Sequence, residues 1–192
     1  MSAPVPQPHR SRPLCATACA VVVAALLSAC ASAPPRAPAA APGSPAALPR
    51  AEVGTAQAAV ANLAAASATL VSGRIALRAE PGGVRLAGEI GGLTRHGAHV
   101  LQVHARGDCS AVDASSAGPY FDATGRGGVD GGSDRIIADA QGVARVAQLV
   151  PAAVLGGGAA NDIAGRALVV MGATSGATSA RVACGVIRLQ AP

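Results

Sequence analysis

The sequence predicts an all-β domain, a sandwich or a barrel, and two observations carry that prediction. Apolar and polar residues alternate with period two over several short segments, the pattern of strands with one buried face. Glycine-rich turn signals separate these segments at roughly ten-residue spacing, as in sandwiches and barrels.

Residues 57–63, "QAAVANL", alternate only weakly, and their alanines would suit a helix on propensity alone. The segments that follow decide for a strand. Within 69–80, "TLVSGRIALRAE", Ile75 and Leu77 fall on one face with Arg74 and Arg78 off it. "PGG" at 81–83 is a turn, and 84–90 alternate again, Val84, Leu86 and Ile90 against Arg85 and Glu89. In 98–105, "AHVLQVHA", His99, Leu101 and Val103 share one face while Val100, Gln102 and His104 share the other. The two histidines therefore point to opposite faces and form no simple chelate. Residues 106–135 are long, Gly-rich and poor in apolar side chains, a stretch that is usually functional or specially tied down. Residues 136–149 resume a strand–turn–strand pattern around "DAQG". The continuous apolar run of 164–173 reads as a buried strand, and 180–189, "ARVACGVIRL", as the last.

The N-terminus points to export. His9, Arg10 and Arg12 precede an apolar stretch at 14–27 of about a dozen residues, short of the roughly 20 that span a bilayer, so residues 1–29 read as a signal peptide. It ends in Leu27-Ser28-Ala29-Cys30, which resembles a bacterial lipobox, where the cysteine is acylated and becomes the first mature residue. A small-residue cleavage site with a chance cysteine is the plainer alternative, but position and flanks favour the lipobox. Residues 30–50 then form the lipidated cysteine and an Ala/Pro-rich spacer that cannot pack a core. Residues 51–192 are one domain's worth of chain. The expected location is the cell envelope, attached to a membrane by lipid. Ala31 is compatible with the outer membrane, facing the periplasm.

Removal of the leader and acylation of Cys30 leave Cys109 and Cys184, and two cysteines in an exported domain are expected to form one disulfide. No thiol then remains as a nucleophile. The formal charge of +5 comes from 15 scattered arginines with no lysine, and the aromatics are Tyr120 and Phe121 alone. Neither a basic stripe nor a stacking platform exists, so nucleic acid is not an expected partner.

From about residue 56 to 189 the chain resembles the copper/zinc superoxide dismutases. "GGL" (91–93), "GAH" (97–99) and "HARGDCS" (104–110) are similar to that family's copper strand and its exit. "SAGPYF" (116–121) matches a Ser-Ala-Gly-Pro-His-Phe signature in five of six places, and "DIAGRALVVM" (162–171) and "SARVACGVI" (179–187) resemble its two C-terminal signatures. The resemblance implies an eight-stranded Greek-key barrel with a long loop anchored by the Cys109–Cys184 disulfide, and a site holding copper and zinc.

Carried over position by position, that site is depleted. The first copper histidine of the strand falls on Gln102 and the second on His104. The bridging histidine falls on Tyr120, and the one after the apolar strand falls on Met171. A zinc histidine falls near Arg126, and Asp134 is a candidate for the zinc carboxylate within a register uncertain by a residue or two. The family site uses six histidines, and this chain has four, with His9 in the leader. His99 falls on a position beside the ligands rather than among them. Arg181 stands where the family keeps an arginine that guides the superoxide anion, although a loop-tethering arginine is the plainer reading.

Three functions follow. The favoured one is a ligand-depleted, non-catalytic member with a structural or binding role, without a resident cofactor and with an unidentified protein partner. The second is an active dismutase with a non-standard copper site. The third is capture of Cu(I), which suits a thioether and an imidazole better than Cu(II) does, against which Met171 as an adaptable hydrophobic filler is the plainer reading. No nucleophile–base pair competes, and "GGG" at 156–158 is a lone loop signal.

Overall fold

A computed structural model of the protein describes residues 47–127, 134–173 and 180–191. The leader, Cys30 and most of the spacer lie outside the described residues, as do positions 128–133 of the long loop.

Eight strands carry the fold: β1 (Ala58–Ala65), β2 (Ser72–Glu80), β3 (Gly83–Gly91), β4 (Ala98–His104), β5 (Arg135–Ile137), β6 (Ala144–Pro151), β7 (Ala167–Met171) and β8 (Arg181–Leu189). They run in the order β5-β4-β7-β8-β1-β2-β3-β6, every pair antiparallel. The chain leaves β3 to build the far half with β4 and β5, then returns as β6 to β3's free edge, a Greek-key connection. The ends of the sheet approach each other where Gln148 Nε2 donates to the Arg135 carbonyl at 3.3 Å, so the barrel is nearly closed. The strand–turn–strand around "DAQG" is thus not a two-stranded ladder. Asp139 Oδ1 accepts from the Gln141 and Val143 N–H groups and turns the chain between opposite ends of the sheet.

Alternation explains the core. Ile75, Leu77, Val84, Leu86, Ile90, Leu101, Val103, Leu168, Val170 and Ile187 are buried inside, while Arg74, Arg78, Glu80 and Glu89 lie in water. β1 alternates with smaller residues: Ala59 and Ala61 are completely buried between β2 and β8. Their neighbours on both sides supply hydrogen bonds that an isolated Ala-rich helix would have to find within itself. Tertiary pairing therefore overrides propensity.

The stretch from 105 to 127 is more ordered than its composition suggests. Ala105 and Arg106 donate N–H bonds to Pro119 and Ala117, a single 3-10 turn spans Ser115–Ala117, and Phe121 N–H returns to the Val103 carbonyl. The loop thus folds back against the outer side of β4. Ala114 and Ala117 are fully buried there, in a second cluster with Ala66, Ala167, Val169 and Cys184. Cys109 and Cys184 are disulfide-bonded across 75 residues of sequence, fastening the loop to β8. Gly107 makes a close approach possible, since a Cβ there would collide with the Gly165 carbonyl. Arg166 completes the attachment, stacking on Phe121 at 3.6 Å and donating from Nη1 to the Ala105 carbonyl at 2.7 Å.

Candidate functional site

The register of β4 against β7 gathers the residues singled out by sequence. Val100 lies opposite Met171, Gln102 opposite Val169 and His104 opposite Ala167, so these side chains share the outer face of the barrel. Tyr120 joins them through a backbone bridge with His104. Arg181, at the start of β8, reaches over the same face beneath the loop. Gln102, His104, Tyr120, Met171 and Arg181 thus lie on or beside this one face. Arg126 is exposed at the end of a turn that Asp122 organises by accepting from Thr124 N–H, Thr124 Oγ1 and Gly127 N–H. Those bonds, Thr124's first, hold the Asp122 carboxyl below its ordinary range.

His104 is only 3% exposed although alternation points it away from the core, because the folded-back loop covers it. Its Nδ1 lies 2.8 Å from the Gly118 carbonyl. A carbonyl only accepts, so Nδ1 carries the proton and Nε2 presents a lone pair. That Nε2 is buried with no hydrogen-bond partner. The same Gly118 oxygen accepts from Arg181 Nη2 at 2.7 Å, while Arg181 Nη1 donates to the Ala114 carbonyl at 2.6 Å. Burial pushes the His104 pKa down and the Arg181 charge adds to this, with the Gly118 carbonyl opposing. The imidazole is held neutral, with one nitrogen free to donate an electron pair.

The other positions are engaged differently. Gln102 Nε2 donates to Asp134 Oδ2 at 3.3 Å, and Leu101 N–H donates to the Asp134 carbonyl at 2.8 Å. Asp134 is therefore bonded to β4 through both its side chain and its backbone carbonyl. Gln102, Tyr120, Asp122 and Asp134 rim a narrow cleft of about 20 Å³ over Leu86 and Leu168. That is room for about one water molecule. Met171 is half-buried, its side chain packed against the alanine-rich cluster beside Cys109. The Met171 carbonyl accepts from His99 Nδ1 at 3.1 Å. His99 itself is buried on the core side with Leu101 and Val103, away from His104, and His96 is exposed. Among the described residues, no group of three or more His, Cys, Asp or Glu side chains is arranged to hold a metal ion.

Two features escape a reading of the sequence: Asp134's bond to Gln102 and the carbonyl shared by His104 and Arg181. Both depend on how the long loop folds back. The Asp122 turn was within reach, since Asp-x-Thr after "SAGPYF" is a side-chain-capped turn signal.

A family model described as copper/zinc superoxide dismutase (SODC) matches residues 71–187, from the edge of β2 into β8. Among curated proteins, none matches the sequence.

Proposed function

The chain belongs to the copper/zinc superoxide dismutase family, and from that membership we propose a member without dismutase activity, a barrel held in the bacterial cell envelope by lipid on Cys30 and serving there as a structural or binding module. The observation that carries this reading is the Gln102–Asp134 bond: a position that would furnish copper with an imidazole is spent on a protein–protein hydrogen bond.

Dismutation is one-electron chemistry that side chains alone do not supply, so it needs a redox-active metal. Cu(II) favours several nitrogen ligands, and among the described residues this face offers one unpartnered imidazole nitrogen, His104 Nε2. The amide of Gln102 is a poor ligand, and the thioether of Met171 lies in an apolar cluster. The donor set does not fit the family's two-metal group, and we assign no resident cofactor. Arg181 retains its position, but with two guanidinium nitrogens committed to loop carbonyls it acts as a tether. Attraction of an anion would speed encounter and nothing more. The test is superoxide consumption by the purified protein supplied with copper and zinc, compared with its His104→Ala variant. Equal background rates support the reading, whereas activity that His104→Ala abolishes overturns it.

One observation favours a second reading, Cu(I) binding without turnover. The buried, unpartnered Nε2 of His104 shares its face with the Met171 thioether, and both are donors that Cu(I) accepts. Titration with Cu(I) against a competing chelator separates the readings: stoichiometric uptake lost in both His104→Ala and Met171→Leu supports capture.

A further inference from the structure

We propose that Met171 is the oxidation site of this domain, a thioether that two-electron oxidants of the peroxide class convert reversibly to the sulfoxide, and that this conversion loosens the disulfide-anchored loop. The sequence contains two methionines, Met1 and Met171, and no tryptophan. Cys109 and Cys184 are paired and offer no thiol. Among the described residues, Met171 is thus the sulfur that accepts an oxygen atom without first breaking a bond. It is half-buried at the end of β7, so part of its surface meets solvent.

Its location gives oxidation a consequence. Met171 is packed against a buried cluster made of Ala66, Ala114, Ala117, Ala167, Val169 and Cys184, and Cys109 is packed against the same cluster. Ala114, Ala117 and Cys109 belong to the loop, whereas Ala167 and Val169 belong to the barrel. Met171 thus lies against the cluster through which loop and barrel pack together. In the reaction the sulfur lone pair attacks a peroxide oxygen and the O–O bond breaks. Sulfur is oxidised by two electrons, and the second oxygen leaves as water after proton transfer. The product is polar and carries an acceptor oxygen. The side chains of the cluster, alkyl groups and a disulfide, have no donor to meet it, and Arg181, paired across from Met171, has Nη1 and Nη2 bonded to the Ala114 and Gly118 carbonyls. Packing between loop and barrel weakens accordingly, while the disulfide keeps the loop attached and the change reversible. The inference rests on packing and on the reading that no copper engages the Met171 sulfur.

Arg106 and Arg126 are exposed in this loop, so trypsin reports its opening. The full chain is treated with hydrogen peroxide, mapped by peptide mass, and digested briefly with trypsin. We expect one added oxygen on Met171 and cleavage after Arg106 or Arg126 accelerated about tenfold by more frequent local opening. Methionine sulfoxide reductase should restore the original rate. Met171→Leu, which keeps the apolar packing, should show no peroxide effect. The proposal is overturned if Met171 stays unmodified while other residues take up oxygen. It is also overturned if the sulfoxide forms without faster cleavage, or if Met171→Leu responds to peroxide as the wild type does.

Discussion

Gln102 on β4 donates its side-chain amide to the carboxylate of Asp134, 32 residues further along, just before β5 begins. The Leu101 N–H takes the carbonyl of the same aspartate at 2.8 Å. The loop's return to the barrel is thus fixed by the protein's own donors and acceptors, at a position where the sequence had suggested a lost metal ligand. Replacing Gln102 by Ala should lower stability by about 1 kcal/mol, the usual worth of one partly buried hydrogen bond. Chemical denaturation with the wild type alongside measures this, and an unchanged midpoint would show that the bond contributes nothing.

The disulfide should matter more. Closing a loop of 75 residues between Cys109 and Cys184 restricts the unfolded chain, and its loss costs roughly 2–4 kcal/mol. The double variant Cys109→Ser, Cys184→Ser should unfold at a clearly lower denaturant concentration. Peptide mapping of unreduced wild type should show the cross-linked pair.

His104 gives stability a pH dependence. Burial and the Arg181 charge lower its pKa in the folded protein, so over the interval below its unfolded value the native state binds fewer protons than the unfolded one. The contribution is complete above about pH 6.5 and is lost as the pH falls through the lowered folded value. His104→Asn should flatten this part of the stability profile. A wild-type curve with the same slope as the variant would contradict the assignment.

These residues also show how far the sequence was legible. Ile75, Leu77, Val84, Leu86 and Ile90 announce their strands because period-two alternation is a local property. β1 was ambiguous because Ala59 and Ala61 are chosen for the narrow space between β2 and β8, which the segment alone does not reveal. His104 illustrates the harder case. Alternation places it correctly on the outer face, but its burial comes from Gly118 and its neighbours folding back over it. The roles of Asp134 and Gly118 are long-range for the same reason: neither carries a local pattern that names its partner. The strand that carries Gln102 and His104 was readable, whereas what those two side chains bond to was not.

Attachment to a membrane is expected to depend on Cys30. Each buried methylene contributes ~0.8 kcal/mol, so several acyl chains hold a protein durably. Growth with a labelled fatty acid should label the wild type and leave Cys30→Ala unlabelled. Equal labelling of the two would contradict lipidation at this residue.

On the function proposed above, this barrel has exchanged metal ligation for protein contacts. That exchange is tested most directly by measuring copper and zinc bound to the purified protein after production with both metals supplied and removal of loosely held ions. Far less than one equivalent of either metal is expected, with the same low content in His104→Ala. Tight, stoichiometric metal that His104→Ala releases would contradict it.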